Sequence, residues 1–169
     1  MSTDGKFLLG GITLVAIVLA IAVVAGLKRP VTAAEVTFVG LKGEQTALSS
    51  LRGKVVLVNF WATTCTICLR EMPKIAEIHE KYRARGFETI AVAMAYDRPD
   101  WVFEYAERTR PPFAIALDLQ GKAERAFGGV RGTPTSFLVD KKGRIVWRVE
   151  GEPDFGELGR RIEKELGEG

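Results

Sequence analysis

"VVLVNFWATTCTICLREMP", residues 55–73, is the stretch on which the reading of this chain turns. Its first eight residues are apolar apart from Asn59. A run of that length without alternation predicts a strand buried on both faces, the kind that lies inside an α/β sheet. Two cysteines follow at once, Cys65 and Cys68, with Thr66 and Ile67 between them. Met72, Ile75, Ala76, Ile78 and Tyr82 then recur at three- and four-residue intervals, which predicts a helix over residues 65–85. Pro73 falls inside it and removes one backbone donor, so a kink is expected there. Both thiols of the chain therefore sit where a buried strand passes into a helix.

Strand and helix patterns alternate on either side of this junction. "VTFVG" (residues 36–40) reads as a short strand, "TALSSLRGK" (46–54) as a turn with a helical start, and "FETIAVAMA" (87–95) as a second buried strand. "PDWVFEYAERT" (99–109) carries Pro and Asp as helix start signals, with Trp101, Val102 and Tyr105 expected inward. "FAIALD" (113–118) is a third strand, and "KAERAFGG" (122–129) a short helix stopped by its glycines. "TSFLVD" and "RIVWRVEG", joined by "KKG", form a hairpin. The last segment places Phe155, Leu158, Ile162 and Leu166 on one helical stripe. This order predicts an α/β fold, a central mixed sheet flanked by helices on both faces.

The N-terminus is of another kind. Residues 7–27, "FLLGGITLVAIVLAIAVVAGL", carry no charge and no polar face. At ~1.5 Å rise per residue they just span a ~30 Å hydrocarbon layer. The expectation is a short tail over residues 1–6, one transmembrane helix over 7–27, a linker over 28–35 and a folded domain over 36–169. A cleaved signal peptide is the alternative, with "VTAAE" supplying small residues, although its apolar region would normally be about 7–15 residues long. Lys28 and Arg29 follow the span and only Lys6 precedes it, so charge alone favours a cytoplasmic domain. Thiol chemistry favours the opposite side, because disulfides persist outside the cytoplasm.

The net charge of +3 has little bearing on partners. Lys6, Lys28 and Arg29 lie in the first 34 residues against a single acid, Asp4, and leave the domain close to neutral. No basic face argues for nucleic acid.

Four chemistries suit a pair of thiols at this spacing. Zinc needs four ligands as a rule, and there is neither a second cysteine pair nor more than one histidine, His79, read as a surface or core-edge residue. A structural disulfide across so short a loop restrains little chain entropy. Two soft thiolates suit copper(I), and a copper(I)-binding module of the metallochaperone type stays open as the alternative. So does an adaptor that only docks partners. A redox couple explains the placement. A cysteine at a helix N-terminus faces unpaired N–H groups and the positive end of the helix dipole, which stabilise thiolate over thiol. Cys68, one turn inward, can then resolve the mixed disulfide formed at Cys65.

"GKVVLVNFWATTCTICLREMP" together with "GVRGTPTSFLVDKKGRIV" resembles the membrane-anchored thioredoxin-like proteins of the TlpA/ResA type, thiol–disulfide oxidoreductases of the bacterial cell envelope. The likeness runs through FWA before the cysteines, CxxC, Glu-x-Pro after them and Gly-Thr-Pro before the hairpin. It implies a thioredoxin-like fold and a protein disulfide reductase of the cytoplasmic membrane. It places the soluble domain on the periplasmic side, with Cys65 as nucleophile and Cys68 as resolving thiol. Glu71, three residues after Cys68, would be a partly buried proton acceptor. Trp61, Thr133 and a cis Pro134 would form the substrate-binding face. No cofactor is implied beyond the Cys65–Cys68 disulfide, and no metal. The implied partners are protein thiols and disulfides of the envelope, apocytochrome c during its maturation among them, and a membrane electron donor; the chain is expected to be a monomer.

Four positions bear on that resemblance. Asn59 stands where thioredoxins proper carry a buried aspartate, and cannot take a proton. Thr64 replaces the family's usual tryptophan and is expected to cap the helix through its hydroxyl. Thr66-Ile67 replaces a dipeptide that commonly contains proline. Peroxiredoxins share the fold, but their motif would need threonine and proline where this chain has Ala62 and Val58.

Overall fold

The computed structural model describes residues 31–32 and 35–167. The predicted tail and transmembrane helix lie outside the described residues. Among those described, no helix is long and apolar enough to cross a membrane.

Eight strands form one mixed sheet: β1 (Val31–Thr32), β2 (Thr37–Gly40), β3 (Gln45–Ala47), β4 (Val55–Trp61), β5 (Phe87–Ala93), β6 (Ala114–Leu117), β7 (Thr135–Val139) and β8 (Arg144–Glu150). Their order is β1-β8-β7-β4-β5-β6-β2-β3. The helices are α1 (Thr66–Tyr82), α2 (Pro99–Thr109), α3 (Lys122–Ala126) and α4 (Phe155–Gly167), with 3-10 turns at Leu48–Leu51 and Arg83–Arg85. β4, β5 and β6 run parallel, and β7 lies antiparallel to β4. β1 pairs Val31 with Ile145 at the outer edge of β8 and so draws part of the expected linker into the sheet. Two residues carry no pattern from which to foresee this.

β4 is buried at every position, as its unbroken apolar run predicts. Strand alternation sends Val55, Leu57 and Trp61 to one face, where Met72, Ile75, Tyr82, Val102, Tyr105, Leu158 and Ile162 cover them. Val56, Val58 and Phe60 point to the other, against Val36, Phe38, Leu48, Phe127 and Phe137. Helices cover both faces, but unevenly. The three long ones supply the first layer; the second is built from α3, the Leu48–Leu51 turn and the segment entering β2. There Phe60 meets Phe127 and Phe137 edge-on at 5.6 and 5.8 Å. Each such side chain taken from water contributes about 1.5–3 kcal/mol.

Trp101 departs from expectation: it is 42 % exposed, with the Arg98 guanidinium 4.8 Å above its ring, while Val102 and Tyr105 alone turn inward. His79 is buried, its ring against Phe113 and Phe87 at 5.9 and 6.4 Å. α1 passes through the Arg83–Arg85 turn and stops at Gly86, whose φ of 91° only glycine adopts readily. The hairpin is closed by Asp140, which accepts from the Lys142 and Arg144 backbone N–H groups and from Arg144 Nε.

Candidate active site

Because β4 and β5 are parallel and β7 opposes them, the C-terminal ends of β4 and β5 meet the N-terminal end of β7 on one rim of the sheet. Phe60 pairs with Thr135, and Trp61 with Ala93. On that rim lie the turn before α1, the loop after β5 and the segment that enters β7 through Thr133 and Pro134. The Thr133–Pro134 peptide bond is cis.

Cys65 and Cys68 form a disulfide with their Cα atoms 5.2 Å apart. Cys65 is the N-cap of α1: its backbone is extended and its Sγ accepts from the Cys68 backbone N–H at 3.2 Å. Thr64 therefore does not cap the helix. It is exposed in the turn, and the sulfur takes the donor that its hydroxyl was expected to use. The first turn of α1 contains no acid to neutralise the positive end of its dipole. When the disulfide opens, a thiolate at Cys65 finds the same N–H already aimed at it. The two sulfurs differ in access. Cys65 is half-buried and can be reached; Cys68 is fully buried.

The turn before Cys65 is held from the side. Asp97, buried in the loop after β5, accepts from Thr63 N and Thr63 Oγ1, each at 2.6 Å, and from Arg98 N at 2.9 Å. The Tyr96 hydroxyl lies 3.1 Å from Thr133 Oγ1, and the Tyr96 side chain is 62 % exposed beside the sulfur-bearing rim. Nothing in the sequence reading singled out Tyr96 or Asp97; a tyrosine and an aspartate ahead of Arg98-Pro99 read as an ordinary helix approach.

Trp61 is corrected. It was expected on the substrate-binding face, but it is fully buried beneath that face, with its ring 4.9 Å from Tyr105. β4 is covered on both sides, so a residue at its end is core whichever way it points. Thr133 is half-buried and Pro134 buried, with the Pro134 carbonyl accepting from Gly151 N at 2.8 Å.

Glu71 is more deeply placed than expected: it is fully buried on the same face of α1 as Cys68, one turn along. Asn59 Nδ2 donates to Glu71 Oε1 at 2.8 Å and to Ser136 Oγ at 2.9 Å. Burial raises the Glu71 pKa to about 7; the nearby Glu152 carboxylate adds to the rise, and the Asn59 hydrogen bond, Lys74 and Arg70 oppose it. Arg70 and Lys74 are themselves engaged by Glu152 at 2.8 and 2.9 Å. Ser136, directly opposite Asn59 in the β4–β7 register, is a site neighbour that the sequence reading missed. Its signal was a polar pair, Thr135 and Ser136, at the start of an otherwise apolar strand, as Asn59 is a polar residue within apolar β4.

Among the described residues no group of three or more His, Cys, Asp and Glu side chains is arranged to hold a metal ion. What the rim presents is an accessible sulfur at a helix N-terminus, a buried sulfur behind it and a buried carboxyl group that titrates near neutrality.

Known proteins bear on this arrangement. The Redoxin family profile matches residues 28–160. The thiol-disulfide oxidoreductase ResA of Geobacillus kaustophilus is 36 % identical over 132 residues, which cover 78 % of this chain and 75 % of that protein. ResA of Bacillus thuringiensis subsp. konkukian is 34 % identical over 124 residues, covering 73 % and 70 %. The crystal structure of a thiol:disulfide interchange protein of the thioredoxin family from Chlorobium tepidum superposes with a TM-score of 0.74 at 28 % identity, covering 82 % of this chain and 98 % of that one.

Proposed function

Because this chain belongs to the Redoxin family and is a thiol–disulfide oxidoreductase, we propose that it works as a reductase of protein disulfides on the outer side of a bacterial cytoplasmic membrane. The observation that carries the reading is the unequal pair of sulfurs: Cys65 reachable at the start of α1, Cys68 buried one turn behind it.

In this mechanism the Cys65 thiolate attacks a disulfide of the substrate protein. A bond forms between Cys65 Sγ and one substrate sulfur, and the other substrate sulfur leaves as a thiolate. Cys68 gives its proton to the Glu71 carboxylate, and its own thiolate attacks Cys65 Sγ. The second substrate sulfur departs, and Cys65–Cys68 closes as the disulfide seen here. Two electrons pass from the protein's thiols to the substrate, and Glu71 ends protonated. A pKa near 7 suits both halves of that exchange. Thr133 and the exposed Tyr96 line the approach, where an extended substrate segment would lie.

In this cycle the two thiols carry the electrons and Glu71 carries the proton. The reduced pair is restored by a dithiol donor in the membrane, to which residues 7–27 would anchor the domain as a monomer. Disulfides of envelope proteins, apocytochrome c among them, are the substrates this reading names.

The test is made on the full chain in spheroplasts. A membrane-impermeant maleimide should label Cys65 after mild reduction. Absence of labelling, with labelling restored on lysis, would place the domain on the other side and overturn the proposal.

A further inference from the structure

We infer that Asn59 and Ser136 are positioning residues for the proton transfer at Cys68: together they hold Glu71 by one carboxyl oxygen, Oε1, and leave Oε2 as the oxygen that gains and loses the proton. The inference rests on the proposed role of Glu71 as proton acceptor.

The geometry is specific. Asn59 Nδ2 carries two hydrogens, and both are committed, one to Glu71 Oε1 at 2.8 Å and one to Ser136 Oγ at 2.9 Å. Ser136 fixes the amide from the neighbouring strand at the register position opposite Asn59. The amide therefore presents its N–H side, not its carbonyl, to the carboxylate. All three side chains are fully buried, so water does not compete for these bonds. Glu71 Oε2 has no hydrogen-bond partner among the described residues.

Three consequences follow. A hydrogen bond to the charged form favours that form, so Asn59 offsets part of the burial that would otherwise keep Glu71 protonated through the whole neutral range. With Oε1 occupied as an acceptor, the proton from Cys68 is received at Oε2. And an amide neither takes nor releases a proton near neutral pH, so the proton stays on Glu71 alone instead of being shared between two acids. The other charged groups that act on Glu71 are Glu152 beyond β8, and Lys74 and Arg70 on α1. Lys74 and Arg70 are engaged by Glu152, and none of these three contacts Asn59 or Ser136 in the hydrogen bonds and ion pairs described. Changes at Asn59 or Ser136 thus act on Glu71 through the bonds named, not through that surface cluster.

The test is a carbon-13 NMR titration of the glutamate side-chain carboxyls in the oxidised full chain, with the Glu71 resonance assigned by its disappearance in Glu71→Gln. In Asn59→Ala the midpoint should rise by about one pH unit or more, the effect of losing one hydrogen bond to a buried charge. Ser136→Ala should move it the same way by less, because the amide is loosened but not removed. Asn59→Asp, of nearly the same shape, should replace the single titration by two coupled ones, as two carboxyls at that separation share a proton. If Asn59→Ala does not fold, Ser136→Ala and Asn59→Asp decide the matter. Midpoints within about 0.3 of a pH unit of the wild type in every variant that folds, with one titration in Asn59→Asp, would overturn the inference. The pH profile of Cys68 alkylation in the reduced chain separates this from the reading beneath it. If Glu71→Gln leaves that profile unchanged, the proton-acceptor role fails, even where the NMR midpoints show that Asn59 and Ser136 govern the carboxyl.

Discussion

Replacing Glu71 by glutamine should make the oxidised protein more stable in alkali and leave it nearly unchanged in acid. The carboxyl is fully buried and its pKa stands at about 7, against an ordinary value of 4.5. A raised folded pKa means that the native state binds the proton more tightly than the unfolded chain. Burial of Glu71 is therefore tolerated below pH 4.5, where both states are protonated, and becomes costly as the pH rises through 7 and the native carboxyl must ionise. At about 1.4 kcal/mol for each pH unit separating the two states, the full cost above pH 8 is about 3 kcal/mol, and at pH 5 it is below about 1. Glutamine is neutral throughout and keeps a carbonyl for the Asn59 amide, so it carries none of this dependence. The assay is urea unfolding of wild type and Glu71→Gln at pH 5 and pH 8 with the disulfide intact, comparing midpoints at equal m-values. The stability difference should move in favour of glutamine by about 2–3 kcal/mol between the two pH values. Any contribution of His79, whose pKa burial lowers, is common to both proteins and cancels in the difference. A difference constant to within about 0.5 kcal/mol, or one moving in favour of glutamate as the pH rises, would show that the buried carboxyl does not behave as its surroundings require.

Three further outcomes follow from the same geometry. Burial holds the His79 imidazole below its ordinary pKa of 6.5, against the pull of Glu88 and Glu80 and with the help of Arg83. Its stabilising contribution should be complete above that value and fade as the pH falls below it, and the fall in melting temperature between pH 7 and pH 5 should be smaller in His79→Gln. Asp97→Ala strands the Thr63 N–H and hydroxyl in the turn before Cys65, and should cost about 1–3 kcal/mol in urea unfolding. Phe60→Ala opens a cavity between Phe127 and Phe137 and should cost about 3–5 kcal/mol by the same measurement, while Leu119→Ala, at an exposed position, should stay within about 0.5.

The parts of this molecule that were legible from its sequence are those governed by local pattern. The unbroken apolar run of β4 announced a strand with both faces covered, and the hairpin and the stripe of α4 declared themselves by their periods. The cysteine spacing, set between strand and helix, carried the chemistry. What escaped depended on which residues meet across the sheet. Asn59 and Ser136 are 77 positions apart and meet only through the β4–β7 register. Trp61 was misplaced for a related reason: in a strand buried on both sides, alternation distinguishes two layers of core and no outer face. Trp101 followed the helical period but lay at the margin of its apolar arc, where an arginine covers it. Thr64 lost the capping role because the sulfur of Cys65, one residue on, already accepts the helix N–H.

The proposed exchange divides duties between the two sulfurs, Cys65 attacking and Cys68 resolving. It is tested most directly by mixing each reduced serine variant of the full chain with a disulfide-bonded protein and reading the products by intact mass and peptide mapping. Cys68→Ser should accumulate a covalent complex through Cys65, and Cys65→Ser should accumulate none. A complex held through Cys68 in Cys65→Ser would contradict the assignment. No complex in either variant, with the reduced wild type instead binding one equivalent of copper(I) tightly, would contradict the exchange chemistry itself.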